Sequence, residues 1–126
     1  MVPSAEERDA LFKTFGRAWF KRDVALLYEA VTPDFVWAQS DGSGKVAHIT
    51  GRDAVGAALT ATGTDGVQRR FEDVAYHHAG DQSFMTFRIV ETIAATGETR
   101  ADIGVERYRF RDGRIALKDV YRKRAL

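Results

Sequence analysis

Residues 101–110 read Ala-Asp-Ile-Gly-Val-Glu-Arg-Tyr-Arg-Phe, and this stretch decides the fold. Its side chains alternate in character, which is typical of a strand because successive side chains point to opposite faces of a sheet. One face takes Ile103, Val105, Arg107 and Arg109, and the other takes Asp102, Gly104, Glu106, Tyr108 and Phe110. Asp112-Gly113 follows and indicates a tight hairpin, because both residues tolerate a positive φ.

Three further stretches extend this strand into a sheet. Gln82–Ile93, Thr99–Arg111 and Arg114–Lys123 are predicted as three long strands of one antiparallel meander. Val67–His78 is predicted as a fourth strand, which ends at the turn 79–81. The second half of the chain is therefore predicted to be an antiparallel sheet.

Helix signals lie in the first half. Ser4 and Glu7 form a capping-box pattern that begins a helix running to about Lys21. Its apolar face holds Leu11, Phe12, Phe15, Ala18 and Trp19. Asp23 is predicted to cap a second, short helix that ends at Thr32-Pro33, since the residue before a proline is pushed out of the helical region.

The middle of the chain is predicted to contain two strands and a helix. Asp34–Gln39 and Val46–Ile49 are predicted as strands, with a glycine-rich turn or rim at residues 40–44 between them. Thr50 is predicted to cap a third helix, from Arg52 to about Thr62. The glycines at positions 63 and 66 are expected to break this helix.

This order of elements predicts an α+β fold, in which N-terminal helices pack on one face of an antiparallel sheet. The chain of 126 residues is expected to form a single domain, residues 1–126. A net charge of +1 gives no reason to expect nucleic acid, and no apolar run is long enough to cross a membrane. The absence of cysteine and of a secretory signal suits a cytoplasmic protein.

The order of elements and several short motifs resemble the nuclear transport factor 2-like superfamily, in its branch of SnoaL-like polyketide cyclases and ketosteroid isomerases. The motifs are Arg22-Asp23 before an apolar helix, residues 32–37 (Thr-Pro-Asp-Phe-Val-Trp), residues 49–55 (Ile-Thr-Gly-Arg-Asp-Ala-Val) and residues 108–115 (Tyr-Arg-Phe-Arg-Asp-Gly-Arg-Ile). The resemblance implies that this sheet is strongly curved and cone-shaped, open at one end on an apolar cavity, and it implies frequent dimers.

The residues that the resemblance would make catalytic are mostly absent. Ketosteroid isomerases carry an oxyanion-donating tyrosine at the position of Phe15 and an aspartate base at the position of Gln39. The position of their protonated aspartic acid falls on Glu106. In that enzyme the apolar site raises the pKa of the acid, so that it stays protonated and donates a hydrogen bond. SnoaL-like cyclases also use an acid in the late strands, so the resemblance implies Glu106 as the catalytic residue.

Glu106 is the candidate catalytic residue of the sequence. The predicted ligand-binding residues, which would line an apolar cavity around it, are Phe15, Trp19, Trp37, Gln39, Phe87 and Tyr108. An acid in such a cavity is desolvated and can serve as general acid or base near neutral pH. The alternative is that Glu106 pairs with Lys118 or Arg122 on the neighbouring strand and has a structural role.

Two further acids are predicted near the end of the sheet. Glu91 shares a face with Phe87 and is predicted to lie opposite Asp102 if the hairpin turns near Thr96-Gly97. Two adjacent carboxylates would separate their pKa values, and the simpler interpretation is a pair of solvated rim acids.

The sequence predicts no metal and no cofactor. His77 and His78 are adjacent in an extended segment, so they point to opposite faces and cannot bind one metal together. His48 is the histidine placed nearest the expected mouth of the cone.

Three functions fit these observations. The first is a cofactor-independent enzyme that moves a proton on a small hydrophobic carbonyl or hydroxyl compound, as an isomerase, cyclase, dehydratase or hydrolase. The second is a module that binds such a molecule without chemistry, and the third is a dimerisation domain with a filled cone. An unpaired Glu106 favours the first, an ion pair with Lys118 or Arg122 favours the second or third, and a filled cone leaves only the third.

A homodimer is expected through the convex face of the sheet. This face should carry Arg88, Val105, Arg107, Leu117 and Tyr121. Arginine and tyrosine are enriched in protein interfaces.

Overall fold

The computed structural model describes residues 2–40 and 44–125. The helices are α1 (Ala5–Lys21), α2 (Val24–Ala30) and α3 (Arg52–Thr64). The strands are β1 (Val31–Ser40), β2 (Val46–Thr50), β3 (Val67–Ala79), β4 (Gln82–Ile93), β5 (Thr99–Arg111) and β6 (Arg114–Arg124). Of the predicted glycine-rich turn, residues 41–43 lie outside the described residues.

The six strands form one curved, open sheet in the order β2-β1-β6-β5-β4-β3. The predicted antiparallel meander of β4, β5 and β6 is confirmed, and the predicted fourth strand, β3, extends it by pairing antiparallel with β4. One pair differs from the prediction, since β1 runs parallel to β6 and the sheet is mixed. The chain reaches β6 from β1 only after all other elements, a long-range pairing that local sequence patterns do not reveal.

The helices cover the concave face of the sheet. Phe12, Phe15 and Ala18 of α1 are buried in one core with sheet residues such as Phe35 and Ile115. The capping box is present as predicted, because the Ser4 hydroxyl accepts from the Glu7 N–H and the Glu7 carboxylate accepts from the Ser4 N–H. Within the described residues, no helix is long and apolar enough to cross a membrane.

Three boundaries differ from the sequence predictions. The second helix ends at Ala30, and Thr32-Pro33 already belongs to β1, where the pairing with β6 is irregular between Val31 and Val36. A proline cannot donate a ladder hydrogen bond, which fits that irregularity. Thr50 is not the cap of α3, because Gly51 with φ 86° takes the N-cap position and no side chain bonds the helix end.

The end of α3 also differs. The helix passes through Gly63 and stops at Thr64, and Gly66 with φ 75° turns the chain into β3. Gly63 lies under the Arg22 side chain, where an added Cβ would be 2.8 Å from Nε. The glycine therefore provides space for Arg22 and does not end the helix.

A register shift in the last hairpin decides which side chains of β6 face the core. Asp112 and Gly113 both have positive φ (51° and 75°), as predicted for the two-residue turn. Phe110 then pairs with Ile115 but Arg109 pairs with Leu117, so Ala116 is an extra residue in β6. From there Tyr108 lies opposite Lys118, which puts Lys118 on the concave face.

Arg8 is a buried cation that the sequence patterns did not predict. Its Nε donates to the Pro3 carbonyl (2.9 Å) and its guanidinium nitrogens donate to the Gln82 carbonyl (2.8 Å), the Ser83 hydroxyl (3.2 Å) and the Gly80 carbonyl. The side chain therefore ties the start of α1 to the β3–β4 turn.

The variant Arg8→Met should lower the free energy of unfolding by about 2–4 kcal/mol, because it leaves several buried acceptors without a donor. Urea denaturation followed by circular dichroism measures this loss. Arg17→Met is the matched control on the exposed side of α1, and it should change the free energy of unfolding by less than about 0.5 kcal/mol. Equal losses in the two variants would contradict the role given to Arg8.

Candidate functional site

A cavity of about 630 Å³ lies between the helices and the concave face of the sheet. All seven residues predicted from the sequence line it: Phe15, Trp19, Trp37, Gln39, Phe87, Glu106 and Tyr108. The cavity is not filled by side chains of the chain itself, as a pure dimerisation domain would require. Its size falls in the range of ordinary small-molecule sites.

Glu106 is buried on the cavity wall and has two polar neighbours. The Tyr108 hydroxyl donates a hydrogen bond to Glu106 Oε1, and Lys118 Nζ lies 3.8 Å from Glu106 Oε2. All three residues are at most 5% exposed. Of the two partners that the sequence offered for Glu106, Lys118 is therefore the one in contact, and this ion pair is the arrangement expected above for a binding module or a dimerisation domain.

Lys118 is surrounded by aromatic rings as well as by this carboxylate. Its Nζ lies 3.3 Å from the ring centroid of Trp19, 5.3 Å from that of Trp37 and 5.5 Å from that of Phe15. Burial lowers the pKa of Lys118, and the Glu106 carboxylate opposes that shift. Sequence reasoning named Lys118 only as an ion-pair partner and missed the aromatic surroundings, because rings of α1 and β1 come from distant parts of the chain.

Two tyrosines complete this group of polar side chains. Burial, and then the neighbouring Glu106, raises the pKa of Tyr108 well above its usual value. Tyr76 has a pKa raised by the same two causes, and its ring stacks on Phe12 with 4.7 Å between centroids. Both hydroxyls therefore keep their protons near neutral pH. The Tyr108 hydroxyl hydrogen is donated to Glu106.

The close approach of β4 and β5 shapes the wall next to Glu106. A Cβ added at Gly104 would lie 2.5 Å from Phe87 Cζ and 2.7 Å from the Tyr121 carbonyl oxygen. Only glycine leaves room for the Phe87 ring at this point. The wall is therefore an aromatic surface beside the Glu106 carboxylate.

The second polar region of the cavity is an arginine cluster, and it corrects the prediction for Glu91. In the pairing of β4 with β5, Glu91 lies opposite Arg100 and Ile89 lies opposite Asp102, so the two acids are not directly opposite each other. Glu91 is only 4% exposed and is therefore not a solvated rim acid. Its carboxylate contacts the guanidinium groups of Arg69 (3.0 Å), Arg100 (3.2 Å) and Arg122 (2.9 Å).

The charges around Glu91 offset its burial. Burial by itself raises the pKa of Glu91, but the neighbouring Arg122 and Arg100 together bring it below the usual value. Arg122 also bonds Asp102 at 2.8 Å, so one guanidinium bridges the two acids. Arg122 is thereby excluded as the partner that the sequence offered for Glu106.

The polar group around Glu106 and the arginine cluster are separated along β6. Lys118 and Arg122 project from the same face of β6 and are four residues apart, which is about 13 Å along a strand. Arg22 lines the arginine end as well, and its guanidinium donates to the carbonyls of Phe20 (2.8 Å) and Thr62 (3.4 Å).

The histidines are not part of the cavity lining. His48 pairs with Ala38 in the sheet. His77 lies 3.1 Å from the Thr86 hydroxyl, and His78 lies between Ser83 and Asp9. Within residues 2–40 and 44–125, no group of three or more histidines and acids is arranged to hold a metal ion.

Comparison with known proteins identifies the family. The family model described as the SnoaL-like domain matches residues 12–118. The chain belongs to the SnoaL-like family. No curated protein matches the sequence of this SnoaL-like domain.

Solved structures agree with this fold. A nuclear transport factor 2-like protein from Burkholderia xenovorans has a TM-score of 0.82 and 18% identity, and the match covers 95% of this chain and 92% of that one. A proposed polyketide cyclase from Xanthomonas campestris has a TM-score of 0.72 and 17% identity, with 92% and 90% covered. A proposed isomerase from Bacillus subtilis has a TM-score of 0.70 and 18% identity, with 94% and 87% covered. At these identities the likeness establishes the shared SnoaL-like fold.

The pKa shift of Glu91 predicts a contribution to acid stability. Because its folded-state pKa is lowered from 4.5, the ionised carboxylate stabilises the fold above about pH 4.5 and this stability is lost as the pH falls through the folded value. Urea unfolding from neutral pH down to about pH 3 should therefore show a smaller acid-induced loss in Glu91→Gln than in the wild type. The control is Glu98→Gln at an exposed position, which should keep the wild-type slope. A wild-type slope in Glu91→Gln would exclude this assignment.

Proposed function

We propose that this SnoaL-like domain is a cofactor-independent enzyme that moves a proton on a small, largely apolar carbonyl or hydroxyl compound. The observation that carries the proposal is the group formed by Glu106, Tyr108 and Lys118 on the wall of an otherwise mostly aromatic cavity. Glu106 would be the proton-transferring residue. The ligand-binding residues would be Phe15, Trp19, Trp37, Gln39, Phe87 and Tyr108.

The cost of burying these groups supports a functional role. Removing two charges from water costs several kcal/mol per ion, and apolar residues in their place are often as stable or more stable. Buried ionisable groups that line a cavity are therefore good candidates for catalysis. The Glu106 carboxylate provides a proton acceptor, and the Lys118 ammonium and the Tyr76 hydroxyl provide donors that could stabilise a developing oxyanion.

This mechanism differs from that of ketosteroid isomerase. Phe15 and Gln39 line the cavity. The resemblance sets them at the positions of that enzyme's tyrosine and aspartate, and neither side chain can donate or accept a proton in those roles. The donor role would fall to Lys118 instead, because the Tyr108 hydroxyl hydrogen is donated to Glu106. The names of the Xanthomonas and Bacillus relatives, a proposed cyclase and a proposed isomerase, fit this class of reaction.

The second candidate function is binding without chemistry. The contact of 3.8 Å between Lys118 and Glu106 favours it, because a carboxylate held by a cation and a hydroxyl can be a purely structural pair. The same cavity would then carry an apolar molecule, with the polar group as its anchor. The two candidates differ only in whether a bound compound exchanges protons.

The test uses 2-tetralone, an apolar ring ketone with acidic hydrogens next to its carbonyl. Exchange of these hydrogens in D₂O, followed by proton NMR, should be accelerated by the wild type. Because general acid–base catalysis contributes about 10²–10⁴-fold, Glu106→Gln should lose that factor. Binding is followed separately by the fluorescence of Trp19 and Trp37, which both line the cavity.

Stability must be measured beside activity. Glu106→Gln leaves Lys118 without its carboxylate, and breaking a buried pair costs about 3–5 kcal/mol, so the melting temperature should fall. The double variant Glu106→Gln with Lys118→Met should regain stability without regaining exchange. Glu98→Gln is the control that should keep both properties. Binding of 2-tetralone without exchange above the buffer rate would support the binding function and contradict the enzymatic one.

We also propose a homodimer through the convex face of the sheet. The predicted residues Arg88, Val105, Arg107, Leu117 and Tyr121 lie on that face by the register of β4, β5 and β6. The same face leaves Ile103 at 41% and Tyr121 at 52% exposure. Partly exposed aromatic and aliphatic groups with arginine between them are characteristic of interfaces.

Sedimentation at micromolar concentration should give the mass of a dimer. Tyr121→Glu should shift it to monomer, because it buries a new charge in the interface. Phe20→Glu is the matched control, since Phe20 is 82% exposed and lies on α1 at the cavity side. Monomer mass for the wild type would reject the dimer.

A further inference from the structure

Lys118 has the surroundings of an amine nucleophile. An ion pair with Glu106 alone would not need these surroundings. Its Nζ faces three aromatic rings and one carboxylate, and its side chain is 6% exposed. Among the described residues, Glu106 is the only carboxylate within 4.0 Å of that amine. The other four lysines, Lys13, Lys21, Lys45 and Lys123, are exposed.

We propose that Lys118 forms an imine with aromatic or other apolar aldehydes and ketones that enter the cavity. This inference rests on the proposed function in that the same cavity receives a carbonyl compound. It adds a covalent step that proton transfer by Glu106 does not need.

Lys118 and Glu106 together supply and take up every proton that imine formation needs. A proton first passes from the Lys118 ammonium to Glu106, which leaves a neutral amine and a carboxylic acid. The amine nitrogen then bonds to the carbonyl carbon, and the carbonyl oxygen takes the proton from Glu106. The nitrogen returns one proton to Glu106, which delivers it to the hydroxyl as that group leaves as water. The products are one protonated imine, one Glu106 carboxylate and one water.

The surroundings of Lys118 favour both the reactive neutral amine and the protonated imine that it forms. Burial lowers the pKa of Lys118, so more of the amine is neutral and nucleophilic. The protonated imine is again a cation, and the Trp19 ring and the Glu106 carboxylate that contact the ammonium can stabilise it in the same place. Aromatic walls also limit the water that would hydrolyse the imine.

The experiment uses 2-naphthaldehyde, which has no hydrogen next to its carbonyl and therefore cannot report proton exchange. The wild-type protein is incubated with the aldehyde and sodium cyanoborohydride near neutral pH, and peptide mass spectrometry locates the reduced adduct. We expect one naphthylmethyl group on Lys118, formed at least about tenfold faster than on the exposed lysines. The non-carbonyl analogue 2-methylnaphthalene should slow labelling at Lys118 and leave the other lysines unaffected.

Two controls keep the result interpretable. Lys118→Arg keeps the charge but removes the primary amine, so it should lose the selective adduct. If that variant does not fold, urea-unfolded wild type serves instead, and there Lys118 should react no faster than Lys13 or Lys123.

Failure of the imine and failure of the proposed function give different results. Quenching of tryptophan fluorescence by the aldehyde without an adduct on Lys118 would overturn the imine and leave the cavity as a carbonyl site. Labelling spread over the exposed lysines with none on Lys118 would overturn it as well. Exchange of 2-tetralone is measured independently, so its loss in Glu106→Gln tests proton transfer whatever the fate of Lys118.

Discussion

The burial of Lys118 beside Glu106 is the interaction on which the rest of the site depends. The lysine and the acid are nearly excluded from solvent, and a tyrosine hydroxyl holds the other oxygen of the carboxylate. Two buried charges are expensive unless each is satisfied by the other and by further contacts. The ring of Trp19 at 3.3 Å supplies one such contact for the lysine. Because this pair lines a cavity large enough for a small molecule, the cost of burying it points to a role in binding or catalysis.

The curved sheet and the helix α1 together enclose this pair. Gly104 lets the Phe87 ring lie against β5, and Arg8 fastens α1 to the turn between β3 and β4. The helix α1 then holds Phe15 and Trp19 over the sheet with 5.3 Å between their ring centroids. Glu91 lies among three arginines further along the sheet, and two of them also pair with other acids, Arg69 with Asp65 and Arg122 with Asp102.

Local patterns carried most of the fold, because strand alternation, the capping box and the Asp112-Gly113 turn each depend on neighbouring residues. Strand alternation also put Glu106 on the same face as Tyr108, whereas the cavity around them was implied by the family resemblance. The position of Lys118 depends on a single extra residue, Ala116. Without that bulge the two-residue turn would pair Glu106 with Asp119 and send Lys118 to the convex face. The parallel pairing of β1 with β6 and the partners of Glu91 are long-range in the same way.

A crystal structure at high resolution tests the central claim most directly, because it reports the register of β6 and the content of the cavity together. The account predicts Lys118 Nζ and the Glu106 carboxylate in contact, Ala116 unpaired in the hairpin, and ordered non-protein density in the cavity against Glu106. It would be contradicted by a hairpin without the bulge, by Lys118 on the convex face, or by side chains that fill the cavity.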